Sequence, residues 1–137
     1  MTPLVLLAEE DVVMRDQLAR ALRNRGYQVI AVRDGLGLCD YLEISRFSNG
    51  RAPSPNVIVA DAELEGYGGA RICEQLSHEQ ASIPFILVGS VENEECSGAA
   101  HVLSKPVNIG QLVEAIALCL ADGAHPMAME AAISAHA

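Results

Sequence analysis

Tryptophan is absent from this chain of 137 residues and aromatics make up only 4% of it, although half of its residues are hydrophobic. A core built under those limits must come from Leu, Val, Ile and Ala, and this apolar content excludes disorder for most of the chain. Basic residues are scarce too, 9 against 18 acidic ones, for a formal net charge of -9. Such a surface repels phosphodiester backbones and anionic lipid, so neither nucleic acid nor membrane is expected as a partner. Long apolar runs are also missing: each is broken by Pro, Gly or charge. The opening MTPLVLLAEED has neither the basic start nor the small-residue cleavage site of a secretory signal. A cytoplasmic location is expected. Cys39, Cys73, Cys96 and Cys119 have no Cys-x-x-Cys spacing, and His78, His101, His125 and His136 have no zinc-like relation to them. Buried reduced thiols are the better reading.

What is present suits a single domain, expected over residues 1–121, with residues 122–137 as a tail of frayed helix or disorder. The run Leu4 to Ala8 (LVLLA) is apolar throughout and of strand length, as for a strand buried on both faces. Val13, Met14, Leu18, Ala21 and Leu22 recur near a 3.6-residue period, predicting a helix from Val12 to Arg25 stopped by Gly26. Tyr27 to Val32 predicts a second strand that ends at the turn signal Asp34-Gly35, and a shorter helix follows through Leu38, Tyr41, Leu42 and Phe47. After the loop SNGRAPSPN, Val57 to Ala60 forms a third strand running into Asp61. A helix is expected from about Ala70 to Ser77, a fourth strand over Phe85 to Val88, and only weak helical character over Glu92 to Ala99. His101 to Leu103 is a short fifth strand. Asn108 with Gln111 has the pattern of a helix cap, and Leu112, Val113, Ile116 and Leu120 supply the apolar stripe of a last helix. Alternating strands and helices predict an α/β fold, a doubly wound parallel sheet with helices on both faces.

Ligand sites in such sheets lie beyond the carboxyl ends of the strands. Here the first strand ends in Glu9-Glu10-Asp11, the third in Asp61, the fourth in Gly89-Ser90 and the fifth in Ser104-Lys105. Two carboxylates about 4 Å apart repel by about 4 kcal/mol at an effective dielectric near 20, so such a cluster raises its pKa values or binds a cation. Hard oxygen donors on rigid strand ends suit Mg²⁺, which keeps several waters and completes its octahedron with phosphate oxygens. The plainer alternative is a set of solvated loop acids. Lys105 is the only lysine, beside eight arginines. Its compact ammonium suits a phosphoryl oxygen, and a Lys-Pro bond adopts the cis form at a cost of only about 0.5–1 kcal/mol. The alternative is a chance surface lysine.

The segments LVLLAEEDVVMR, NVIVADAELEGYGG, IPFILVGS and HVLSKPVNIGQL together resemble the receiver domains of two-component response regulators, over about Leu4 to Leu120. The resemblance implies a five-stranded doubly wound fold in which Asp61 accepts a phosphoryl group from a phosphohistidine on a sensor histidine kinase or phosphotransfer protein. It also implies Mg²⁺ as cofactor, held by Glu9, Glu10, Asp61 and the backbone carbonyl of Glu63, with Lys105 binding the phosphoryl group. A receiver of this kind is not an enzyme acting on a separate substrate. It catalyses its own phosphotransfer and signals through contacts with a downstream protein.

The chain departs from the family pattern at several points. Glu9 and Glu10 stand where the family usually has aspartate. The usual hydroxyl residue falls on Gly89, with Ser90 one place later as the candidate hydroxyl, and the usual aromatic falls on Val102. The stretch between Gly89 and Lys105 is short, as for a fourth helix shortened or missing. A weak response to phosphorylation is therefore expected, concentrated between Gly89 and Ala100 and in the turn after Asp61. Two other readings compete: a degenerate receiver kept as a phosphorylation-independent interaction module, and a small flavin carrier of similar architecture. Against the carrier stands the acidic end of the first strand, where a nucleotide phosphate needs bare backbone N–H groups.

Overall fold

All five expected strands form. The computed structural model describes residues 2–47, 51–65, 71, 72, 75, 83–89 and 98–121. Leu4–Ala8 (β1), Gln28–Val32 (β2), Val57–Asp61 (β3), Phe85–Val88 (β4) and His101–Leu103 (β5) pair in parallel as one sheet in the order β2-β1-β3-β4-β5. The chain steps outward from β1 to β2, then crosses back to β3. That reversal opens a crevice at the carboxyl ends of β1 and β3, where ligands of such sheets bind.

β1, β3 and β4 are buried along their whole length, and successive side chains divide between two cores. Val5, Leu7, Val57, Val59, Ile86 and Val88 face one layer; Leu6, Ala8, Ile58, Ala60, Phe85 and Leu87 face the other. The first layer is closed by helix α1 (Val12–Asn24) through Leu18, Ala19 and Leu22, and by a helix over 109–121 through Leu112, Ala115, Ile116 and Cys119. The second is closed by helix α2 (Gly35–Phe47) through Leu38, together with Ile72. The sheet is therefore wound on both faces, as the alternation of elements predicts.

Local chemistry sets the helix ends. Asp11 caps α1 by accepting the Met14 N–H at 3.0 Å. Gly26, at φ +93°, ends it in a conformation that a side chain disfavours. Asn108 caps the last helix by accepting the Gln111 N–H at 3.0 Å. That helix also buries Ala115 and Cys119, which lie outside the expected stripe, while Val113 and Leu120 are half-buried. The expected shorter second helix is corrected: α2 has 13 residues, as many as α1. Asp34-Gly35 reads as a turn signal but acts as a cap, with Asp34 Oδ1 accepting the Gly37 N–H at 2.8 Å and the Asp34 carbonyl accepting the Leu38 N–H at 3.1 Å. The extended loop before β3 is tied back by Tyr41, whose hydroxyl donates to the Pro53 carbonyl at 2.6 Å, and by Asn56 Oδ1, which accepts the Leu4 N–H at 2.8 Å.

Of the helix expected at 70–77, residues 71, 72 and 75 are described, all helical. The fourth-helix segment 90–97, with Ser90, and the tail 122–137 lie outside the described residues. Cys119 is buried and Cys39 half-buried in the core, as expected for structural thiols. No helix among the described residues is long and apolar enough to cross a membrane.

Candidate functional site

Three strand ends meet at the crevice. β1 delivers Glu9, β3 delivers Asp61, and the turn after β5 delivers Lys105, whose peptide bond to Pro106 is cis. Glu9 and Asp61, 3% and 5% exposed, are the only buried charged residues among those described. Lys105 Nζ lies 2.6 Å from Asp61 Oδ2 and 3.6 Å from Glu9 Oε1. The other oxygen of Asp61, Oδ1, accepts the Glu63 N–H at 2.9 Å. Glu9 Oε2 accepts the Asp11 N–H at a longer 3.4 Å. Two carboxylates thus share one ammonium, which is itself 43% exposed and open to solvent on its outer side.

The electrostatics follow from that imbalance. Burial pushes the Glu9 carboxyl above its ordinary range and the neighbouring Asp61 charge adds to this, while the Lys105 ammonium and the Asp11 N–H pull the other way. Burial would lower the Lys105 ammonium, but the hydrogen bond and charge of Asp61, helped by Glu9, outweigh it and hold lysine above its ordinary value.

Glu9→Gln should therefore raise stability at neutral pH by on the order of 1 kcal/mol, since it removes a desolvated charge beside Asp61 and keeps the shape. A raised folded-state pKa means that the contribution of Glu9 is fully present below its unfolded value of 4.5 and is lost as pH rises through the folded value. The advantage of the Gln variant should accordingly shrink as pH falls toward 4.5. Urea denaturation across that range measures it, and an advantage that grows on acidification contradicts the assignment.

Of the expected acidic pair, Glu9 is buried and the next residue, Glu10, is exposed; among the described residues no three His, Cys, Asp or Glu side chains gather. The β1–β2 ladder runs one residue past the strand, with the Glu9 N–H donating to the Val32 carbonyl at 3.1 Å, so Glu9 turns inward and Glu10 outward. Asp11, the third acid, is occupied as a helix cap. Arg15 is a site neighbour that the sequence reading passed over: its Nη1 donates to the Glu9 carbonyl at 2.9 Å and fixes the turn that aims Glu9. Its spacing gave no signal of this. Gly89, at φ +122°, lines the same space, and a Cβ there would sit 3.6 Å from Asp61 Oδ1. The position where the family usually has a hydroxyl thus faces the Asp61 carboxylate, and in this chain it carries no side chain.

The donor set suits a hard divalent cation. Mg²⁺ needs only one or two protein carboxylates, because waters and phosphate oxygens complete its shell, and Glu9 with Asp61 supplies such a pair.

A family model for the response regulator receiver domain matches residues 5–117. Sensory transduction protein RegX3 of Mycolicibacterium smegmatis is 28% identical over 126 residues, covering 88% of this chain and 51% of that protein. The alkaline phosphatase synthesis transcriptional regulatory protein SphR of Synechococcus elongatus is 25% identical over 116 residues, covering 80% of this chain and 45% of its own length. The chain thus spans about half the length of these two relatives. Among solved structures, the signal receiver domain of a signal transduction histidine kinase from Syntrophus aciditrophicus superposes with a TM-score of 0.74 at 21% identity, over 88% of this chain and 92% of that one. Full-length FixJ from B. japonicum gives 0.77 at 20% identity, over 99% of this chain and 66% of its own. At these identities the two structures speak for the fold.

Proposed function

Because the chain belongs to the response regulator receiver domain family of two-component systems, we propose that Asp61 is its phosphoacceptor, loaded from a phosphohistidine of a sensor kinase or phosphotransfer protein in the cytoplasm. The observation that carries this is the buried Asp61 carboxylate at the end of a central strand, with the sole lysine of the chain at 2.6 Å and a second buried carboxylate beside it. A carboxylate oxygen of Asp61 bonds to phosphorus while the bond from phosphorus to the donor imidazole nitrogen breaks, and that nitrogen keeps the electron pair. The Glu63 N–H holds Oδ1 in place, which leaves the Lys105 side of the carboxylate for the transfer. The Lys105 ammonium passes from Asp61 to a phosphoryl oxygen of the product, where a charge-assisted hydrogen bond offsets the added charge. Mg²⁺, held by Glu9, Glu10, Asp61 and the Glu63 carbonyl, would neutralise the incoming dianion, which the clustered carboxylates otherwise repel. The chain is catalyst and acceptor at once, and it signals through a downstream protein. A module that had shed this chemistry gains nothing from two desolvated carboxylates on one ammonium, so the degenerate reading is the weaker one.

Incubation with a small acyl phosphate, with and without Mg²⁺, followed by intact mass and site mapping, tests the proposal. One phosphoryl group on Asp61, gained only with Mg²⁺, is expected; absence of any gain defeats it. Lys105→Ala should slow labelling at least about tenfold, and should also lower stability by roughly 1–3 kcal/mol, because it leaves two buried carboxylates without their shared cation, a cost reduced by the partial solvation of the ammonium. Lys105→Arg should not fully rescue the rate, because a planar guanidinium cannot approach as a point charge does.

A further inference from the structure

Helix α2 is apolar on two sides. Its inner face buries Leu38 and packs Cys39, Tyr41 and Leu42 against the sheet. Its outer face carries Leu36, Ile44 and Phe47, which are 64%, 57% and 71% exposed. At 100° per residue these three fall with Asp40 and Glu43 inside an arc of about 100°. Isolated exposed hydrophobics are ordinary, but three on one helical stripe over three turns form the footprint of a second helix. Asp40 and Glu43 are both exposed on this stripe, while Arg46 falls about 60° beyond its edge, with its guanidinium 5.9 Å from the Phe47 ring. The face is therefore apolar with an acidic centre, on a chain of net charge -9.

That pattern selects its occupant. A second copy docked through the same face would set Asp40 and Glu43 against their own equivalents, and an anionic membrane would repel them. We propose that the outer face of α2 is a docking surface for an amphipathic helix of a partner protein, with an apolar stripe flanked by Lys and Arg. Leu36, Ile44 and Phe47 take the stripe, and Asp40 and Glu43 pair with the flanking cations. This surface is separate from the phosphoacceptor crevice and does not depend on the chemistry assigned there.

Two synthetic peptides of about 18 residues test it, both with leucines at i, i+4, i+7 and i+11, one flanked by Lys and Arg and the other by Glu. Each is titrated against the full chain by NMR. The basic peptide should bind, with shifts centred on α2, and the acidic one at least tenfold more weakly. Phe47→Asp, at an exposed position, should weaken the basic peptide at least tenfold, whereas Val102→Asp on β5 should leave it unchanged. The double variant Asp40→Lys with Glu43→Lys should reverse the preference between the peptides. The proposal is overturned by equal binding of both peptides, by binding that survives Phe47→Asp, or by shifts centred on β5 and the 109–121 helix. It is also overturned by a concentration-dependent dimer that Phe47→Asp abolishes, which would make the occupant a second copy.

Discussion

The Asp61→Asn chain should gain no phosphoryl mass under conditions that label the unaltered chain to completion. The amide keeps the shape of the carboxylate, and its oxygen still accepts the Glu63 N–H. It carries no charge, though, and a neutral amide is a poor nucleophile toward phosphorus. Removing the negative charge also leaves Lys105 with Glu9 as its anionic partner, at 3.6 Å, so the variant should fold with stability changed by only about 1 kcal/mol. Intact mass after acyl-phosphate treatment reads the chemistry, and urea denaturation reads the fold. Labelling of the variant as fast as the unaltered chain would place the acceptor elsewhere, with Glu9 the nearest other carboxylate.

Leu6→Ala should produce the largest loss of stability among these variants, about 2–5 kcal/mol. Leu6 is fully buried on central strand β1, in register with Ile30 on one side and Ile58 on the other, and its side chain sits in the layer under α2. Few neighbours there can move to fill the void, because strands flank the position on both sides. Domains of this size are stable by about 5–15 kcal/mol in total, so the loss is a large share. A urea midpoint shift at constant slope measures it. Leu36→Ala, on the exposed face of α2, should change stability by less than about 0.5 kcal/mol. Similar losses at both positions would mean that the outer face of α2 is covered within the chain.

The sheet was legible in the sequence because the three central strands are unbroken apolar runs ending in charge or glycine, as in LVLLA before Glu9 and VIVA before Asp61, and the two edge strands are short β-branched or apolar stretches. The convergence of Glu9, Asp61 and Lys105 followed from the parallel order, which sends every strand's carboxyl end to one edge. The rest depended on facts that composition does not carry. Whether Glu9 or Glu10 points inward rests on the hydrogen bond from Glu9 to Val32, a partner 23 positions along the chain. Asp34-Gly35 has the same letters whether it closes a turn or caps a helix, and only the bond to the Gly37 N–H decides between them. Nothing in its spacing marks Arg15 among the eight arginines, and its role depends on the bend that brings the Glu9 carbonyl within reach. Ala115 and Cys119 were missed because small residues weigh little in a stripe read from large ones.

The segment that leaves Asp61 is anchored at both ends. Ala62 donates its N–H to the Val88 carbonyl at 2.9 Å, and four positions after Asp61 the Glu65 carbonyl accepts the N–H of Gly35, the first residue of α2, at 3.2 Å. Between those anchors there is little slack. A shift of about 1 Å at Glu65 stretches its bond past the useful range of an N–H to oxygen contact. The turn after Asp61 therefore behaves as a short tie-rod: it stays where it is, or it drags the amino end of α2 with it. A displacement of that turn would reach α2, packed against β1, without any side chain at position 89.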